Sequence, residues 1–395
     1  MTDDSVFEAA EPPFFADMPE FVRRIHAAPG KLALCVTGGG SLAISSLLAA
    51  PGASRSVLAA AVPYAAEALA DWLGARPEQF CCEATARAMA MSAYLKAREY
   101  AAADADTAVA GIGCTASLAS DRSKRGSHRI YVALQTSALT VAHNVELVKG
   151  KRTRAEEERL AAALVLNLVA EFKQLPDRLT AGLSADEIPM VHRALACPQW
   201  QRLLSGAERS APAGAFNADD ARVVAGRVVF PGAFHPRHDG HRAMAALARQ
   251  LTGAQVEHEI SITNVDKPPI DFIEMEHRAA QFGKEEPLWF TRAPTFVEKA
   301  AIFPGATFVA GVDTVARIAE PKYYGGERAR DEALAALAAA GCRFLVFGRY
   351  HEGRFQSLRH LQLPAALLQL CEEVAADAFR SDLSSTEMRR AADGA

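Results

Sequence analysis

Several features that would fix the class of this chain at once are missing from it. Its seven cysteines, at 35, 81, 82, 114, 197, 342 and 371, are odd in number and form no Cys-x-x-Cys pair. That pattern suggests neither a disulfide framework nor a zinc site, and it suits a reducing cytoplasm. Positive charge is not in surplus: the formal net charge is −4, which disfavours nucleic acid as a partner. The longest apolar run, near Ala161 to Phe172, is broken by Asn167 and Glu171 and is too short to span a bilayer. Met1-Thr2-Asp3-Asp4 is acidic and lacks the basic-then-apolar order of an export signal. The Gly-Lys-Ser/Thr of a P-loop is absent as well. The expectation is a soluble cytoplasmic protein acting on small molecules, with no membrane and no nucleic acid among its partners.

What is present is ordinary globular material, 50% hydrophobic and 23% charged, in a chain of 395 residues. That length favours two domains. Strand and helix patterns alternate in both halves, so the expected fold class is α/β, with two layered α/β domains. Strands are expected at Lys31–Val36, Thr107–Ile112 and Arg129–Thr136, and helices at Pro19–Ala28 and Ser41–Leu48. A strongly amphipathic helix is expected over Arg154–Gln174, stopped by Leu175-Pro176. Residues 1–17 read as a mobile arm, 18–176 as a first domain and 222–395 as a second. Residues 177–221 read as a helical and linker segment, with a helix near Ala185–Ala194 and a Ser-, Pro- and Gly-rich stretch over Ser205–Asp220. Further strands are expected at Arg227–Phe230, Ala254–Ile262, Trp289–Thr291, Thr307–Ala310 and Arg343–Phe347.

The most informative passage runs from Arg227 to Leu251. A β-branched strand leads through Gly232-Ala233 into Phe234-His235-Pro236-Arg237-His238-Asp239-Gly240-His241, and helical spacing follows. A strand, a glycine turn and a helix N-terminus make an anion site, and two imidazoles placed there can meet phosphates. A second run, Ser384-Ser385-Thr386-Glu387-Met388-Arg389, lies near the end of the chain. Together and in this order the two passages resemble the HxGH nucleotidylyltransferase superfamily, over roughly residues 222 to 390. The resemblance implies a Rossmann-like parallel sheet of the nucleotidylyltransferase type. It implies that His238 and His241 are catalytic and contact the triphosphate, with Gly232, Phe234 and Gly240 forming the nucleotide-binding turn. Ser384, Thr386 and Arg389 are then expected to hold the β- and γ-phosphates from another helix N-terminus. Magnesium is expected to ride on the nucleoside triphosphate rather than in a protein cage. His238 and His241 lie at a glycine turn with no third ligand evident, so no protein-bound metal is expected.

Clues to the acceptor are thinner. The stretch Asn264 to Pro269 with Lys267, then Arg278, and the later Gly311-Val312-Asp313-Thr314, look similar to segments of the NMN and nicotinate-mononucleotide adenylyltransferase branch. That likeness implies nucleotide contact for Asp313 and acceptor contact for Lys267 and Arg278. Trp289 is of a type that stacks on a flat ring, though a tryptophan at a strand start is more often core. The expected partners are ATP or another triphosphate and a phosphorylated acceptor; a homo-oligomer stays open.

In the first half, Ala33-Leu34-Cys35-Val36-Thr37-Gly38-Gly39, Tyr64-Ala65-Ala66-Glu67-Ala68-Leu69 and Ala110-Gly111-Ile112-Gly113-Cys114-Thr115 resemble three signatures of the CinA C-terminal domain family, over residues 14 to 176. The family's characterised activity is nicotinamide-mononucleotide deamidation. Its nucleophilic serine falls on Cys35 and its lysine on Leu69, and a leucine cannot activate a nucleophile. A silent or altered site is therefore expected, comprising Cys35, Thr37, Gly38, Gly39 and Tyr64, with a phosphate cradle retained at Thr37-Gly38-Gly39-Gly40. A bifunctional deamidase–adenylyltransferase with Cys35 as nucleophile, and a non-catalytic nucleotide sensor or scaffold, are the alternatives.

Overall fold

A computed structural model describes residues 13–379 except 105, 122–124, 214–225, 264–269 and 352–353, with side chains described from residue 18 and not at 351. It is a mixed α/β structure in which the chain divides into two units. The first holds the chain up to Ala196 together with residues 266–273, and the second holds the rest. Among the described residues no helix is long and apolar enough to cross a membrane.

The first unit is a six-stranded sheet. Its strands are β1 (Lys31–Thr37), β2 (Val57–Ala61), β3 (Val109–Ser117), β4 (His128–Gln135), β5 (Leu139–Leu147) and β6 (Met190–Leu195). Their order is β2-β1-β3-β4-β5-β6, parallel over the first three and antiparallel onward. β1 is apolar almost throughout because both its faces are covered. Leu32, Leu34 and Val36 face the helices Pro13–Ala27, Ser41–Ala49 and Arg154–Phe172. Ala33 and Cys35 alternate to the other face, against Ala66–Leu73 and Glu83–Tyr100. On β3, a Cβ at Gly111 or Gly113 would come within 2.1 and 2.2 Å of backbone oxygens of Ala90 and Ala86. These two glycines admit the alanine-rich helix Glu83–Tyr100 directly onto the sheet, so their place in the motif is explained by packing.

Four expectations change here. The helix Pro13–Ala27 begins inside the stretch read as an arm. The helix Arg154–Phe172 starts at a Thr153/Glu156 capping box but is buried over nearly all of 160–170, so it is an interior helix and not an amphipathic one. The helix read over Ala185–Ala194 is instead a turn leading into β6, which pairs antiparallel with β5 from Leu139↔Leu195 to Asn144↔Met190. Pro189 cannot continue a helix, and the carboxylate of Glu187 fixes the turn. Glu187 accepts from the backbone N–H of Ser184 and of Val148, both at 2.8 Å, and takes both guanidinium nitrogens of Arg152 at 2.6 and 2.7 Å. Finally, the stretch read as linker supplies structure to the second unit. The helix Pro198–Ser205 places Trp200 against Phe290, and Trp200 Nε1 donates to the carbonyl of Pro212 at 3.2 Å.

The second unit has strands β7 (Ser210–Pro212), β8 (Val228–Pro231), β9 (Val256–Ser261), β10 (Leu288–Thr291), β11 (Thr307–Gly311) and β12 (Arg343–Phe347). A short ribbon of β13 (Arg349–His351) and β14 (Arg354–Gln356) precedes the edge strand β15 (Cys371–Glu373). The sheet order is β15-β12-β11-β8-β9-β10-β7, parallel except for β7. Numbered along the parallel strands alone, this is 3-2-1-4-5-6, the doubly wound Rossmann order. The chain leaves β8 toward β9 on one side and enters β11 on the other, so the topological switch point lies between β8 and β11.

Glu187 is buried and Arg152 part-buried, and their pair fixes the turn that leads into the first unit's edge strand. Arg152 first, and then the backbone donors, hold the Glu187 carboxyl down at about 2 against the opposing effect of its burial. Its stabilisation is therefore complete above the ordinary carboxylate range and is lost as pH falls from about 4.5 toward 2. Glu187→Gln should cost up to about 3 kcal/mol at neutral pH by stranding a part-buried guanidinium. It should also flatten the acid dependence of stability in that window. Urea unfolding followed by circular dichroism across pH measures both, and equal acid dependence in the two proteins would count against this assignment.

Candidate functional site

The loop after β8 is built around one aromatic ring. Phe234 is buried, and its backbone sits in the left-handed region at φ 45°, which a non-glycine residue adopts only when its surroundings hold it there. Its ring lies against Gly232, where a Cβ would come within 2.7 Å of it. The ring also packs edge-on to Phe230, His241, His258 and Phe282, with centroids 5.0 to 5.6 Å away. Phe234, expected at the nucleotide, supports the loop from beneath, and Gly232 makes room for it.

Polar groups then pin the loop backbone. Gly232 N–H donates to Glu259 O at 2.9 Å, and Arg237 N–H to Gln281 Oε1 at 2.7 Å. Gln281 Nε2 donates to Phe234 O at 2.9 Å, and Arg278 Nη1 to Ala233 O at 3.0 Å. Arg237, just ahead of His238 in sequence, is itself buried. Its guanidinium is bidentate on Glu286, at 2.9 and 2.5 Å, and lies 4.3 Å from the Phe282 ring centroid. Sequence spacing does not reveal Arg237, Gln281 and Glu286, because the partners meet across two loops.

This scaffold sets out the two histidines at the start of the helix Asp239–Thr252. Their rings stack with centroids 3.8 Å apart and planes 25° apart. The backbone N–H of His238 donates to His241 Nδ1 at 3.2 Å. In the neutral ring the proton of His241 is therefore on Nε2, which can donate outward. Burial pushes the His241 pKa down to about 3, helped by His238, Arg237, His258 and Arg242. Burial also lowers His238, which Asp239 partly opposes. Gly240, the second helical residue, is buried between them. His258 on β9 is only 2% exposed, has no hydrogen-bond partner on either ring nitrogen among the described residues, and is held by burial at about 4. It is one more plate in the aromatic stack.

Across the switch point, Asp313 opens the short helix Val312–Ile318 after β11 and pairs with Arg349 just beyond β12. β8 and β11 are adjacent, registered at Thr307↔Val228 and Phe308↔Val229. His238, His241, Asp313 and Arg349 thus follow the carboxyl ends of β8, β11 and β12. Ligands of open α/β sheets bind outside such strand ends at the switch point. Arg349 escapes sequence reading because only the strand order brings it to Asp313.

Two expected acceptor residues are placed elsewhere. Trp289 is 8% exposed in the core, with Nε1 donating to Glu257 Oε2 at 2.7 Å and Arg227 over its ring, so it has no face for a ligand. Arg278 is buried, held between Glu274 at 2.7 Å and Ala233 O, and it positions the loop. Lys267, Ser384, Thr386 and Arg389 lie outside the described residues.

In the first unit, Cys35 is 0% exposed and Leu69 is 2% exposed, in the same apolar cluster. Burial drives the Cys35 thiol far above its ordinary range. Gly38 and Gly40 take left-handed backbone, but the expected phosphate cradle is filled from within. Glu158 accepts from the N–H groups of Gly40 and Leu42 at 2.9 and 3.0 Å and from Ser41 Oγ at 3.0 Å. Arg154 donates to Gly38 O at 2.8 Å. A Cβ at Gly39 would strike Leu118 at 2.6 Å. Thr37 ends β1, while Tyr64 is 72% exposed, ahead of the helix Ala66–Leu73.

No curated protein matches the chain. Solved structures similar to it include a competence/damage inducible protein CihA from Agrobacterium tumefaciens, 19% identical, covering 40% of this chain and 96% of that one with a TM-score of 0.33. A competence or damage-inducible protein from Enterobacter asburiae is 16% identical, covering 39% of this chain and 98% of that one with a TM-score of 0.31. A CinA superfamily protein from Escherichia coli is 17% identical, covering 40% and 88% with a TM-score of 0.28. The family model described as the CinA C-terminal domain matches residues 23–171, which places a CinA C-terminal domain in the first unit.

Proposed function

We propose that the second unit transfers a nucleotidyl group, in the first instance adenylyl, from a nucleoside triphosphate to a phosphorylated acceptor such as NMN or nicotinate mononucleotide. The observation that carries this reading is the stacked, neutral His238–His241 pair at a helix start on the switch point of a 3-2-1-4-5-6 sheet. An acceptor phosphate oxygen attacks the α-phosphorus in line. The new P–O bond forms as the bond to the α,β-bridging oxygen breaks, and pyrophosphate leaves with the magnesium it arrived with. Negative charge builds on the α-phosphate oxygens, and no covalent enzyme intermediate is needed. His241 Nε2–H donates to that charge from a preorganised position. Being neutral, it acts as a hydrogen-bond donor without needing protonation. Arg349, paired with Asp313, supplies positive charge on the other side of the crevice.

The first unit, on this reading, has lost deamidation. The nucleophile and lysine positions hold Cys35 and Leu69, both now core, and Glu158 occupies the anion cradle. A cytoplasmic location belongs to the same proposal.

Pyrophosphate release from ATP or CTP, screened against phosphorylated acceptors, tests the transferase. His241→Ala should lower turnover about 10²–10³-fold while changing triphosphate affinity less, because the contact strengthens as charge develops. A folded His241→Ala protein with parental turnover would exclude the mechanism. Since His241 titrates near 3, the rate should show no loss from its protonation through the mildly acidic range. A rate that falls with an apparent pKa near the ordinary imidazole value, and keeps that pKa in His238→Ala, would contradict a neutral His241. Ammonia release from NMN should stay at background in the full-length protein. Turnover abolished by Cys35→Ala would reverse the reading of the first unit.

A further inference from the structure

The loop that carries the histidine pair holds a third imidazole that the proposed chemistry does not use. His235 meets Glu274 and His277 on the helix Phe272–Ala279, and one ligand atom from each lies within 4.8 Å of the other two. From this convergence we infer that His235, Glu274 and His277 form a divalent transition-metal site, best suited to zinc. The inference does not depend on the transferase reading.

The donor set is the argument. Two imidazoles and one carboxylate leave a position open to solvent, the pattern of zinc sites with three protein ligands. Glu274 and His277 are three apart on one helix face, so their side chains project together. His235 Nδ1 already lies 2.9 Å from Glu274 Oε1. A zinc ion about 2.1 Å from each ligand needs them about 3.4 Å apart, so the His235–Glu274 pair opens slightly while the separation of up to 4.8 Å within the trio closes by up to about 1.4 Å. His277 is exposed and has room to rotate. Arg278 Nε donates to Glu274 at 2.7 Å, the outer-layer hydrogen bond that orients a ligating carboxylate. Against its burial, the Glu274 carboxyl is held well below the ordinary carboxylate range, first by His235 and then by that guanidinium. The guanidinium charge opposes a cation, which sets the affinity below that of an all-anionic cage. On binding, the metal takes the place of the hydrogen between His235 Nδ1 and Glu274, and the ring carries its proton on Nε2.

The test is zinc titration of the full-length protein, freed of metal, in competition with a chromophoric chelator. The expected result is one equivalent bound, with affinity reduced at least about tenfold in both His235→Ala and His277→Ala. His277 is exposed, so its variant should keep the parental circular dichroism and thermal midpoint without metal. His238→Ala should retain the site, which separates it from the stacked pair. Zinc should raise the thermal midpoint of the parent and not of His277→Ala. Zinc binding unchanged in the two ligand variants, or no binding by the parent, would overturn the inference. Loss only in His238→Ala would do the same. Each of these results leaves the pyrophosphate-release assay free to decide the transferase separately.

Discussion

The ring of Phe234 occupies the space that the β8 loop would otherwise collapse into. A phenyl group there requires a glycine at 232, a left-handed backbone at 234, and a wall of Phe230, His258 and Phe282 to receive it. With the ring in place, the chain has one path to the helix Asp239–Thr252, and that path sets His241 edge-on to the same ring. The desolvation that keeps His241 neutral comes from these aromatic neighbours. Geometry and electronic state at the switch point thus share one cause, and the Arg237–Glu286 pair holds it closed from the side.

How much of this was legible in the chain depended on sequence distance. The apolar run at 228–230, the glycine turn and the two histidines lie within fifteen residues, and local spacing is enough to read them. The α/β class was readable for the same reason. Strand order was not, and with it went Arg349, which reaches Asp313 only because β11 and β12 are neighbours. β6 and β7 were missed because short edge strands owe their conformation to the strand they pair with. Composition near Met190 and Ser210 carries little of that information. Trp289 and Arg278 show the opposite limit: residue type suggests chemistry, but the side of the strand or helix decides between ligand and core, and both turned inward.

The two units treat similar local geometry in different ways. Each has a strand that runs through a glycine turn into a helix. In the second unit the helix start is lined by imidazoles and lies at the end of a parallel sheet. In the first, Cys35 and Leu69 close an apolar cluster, and the glycines of β3 serve the approach of the helix Glu83–Tyr100. In the first unit these positions are part of the packed core. Fold and function therefore have to be argued separately within this one chain.

The carboxylate of Glu158 at the start of the helix Ser41–Ala49 makes that separation quantitative. It is a ligand tethered to its own receptor. Even a flexible tether presents its group at an effective concentration of about millimolar, and one fixed on the rigid helix Arg154–Phe172 presents it higher still. A free phosphate or nucleotide must outcompete that local concentration before it meets a single backbone N–H. Glu158 thus competes from within for the same backbone donors that an incoming anion would use.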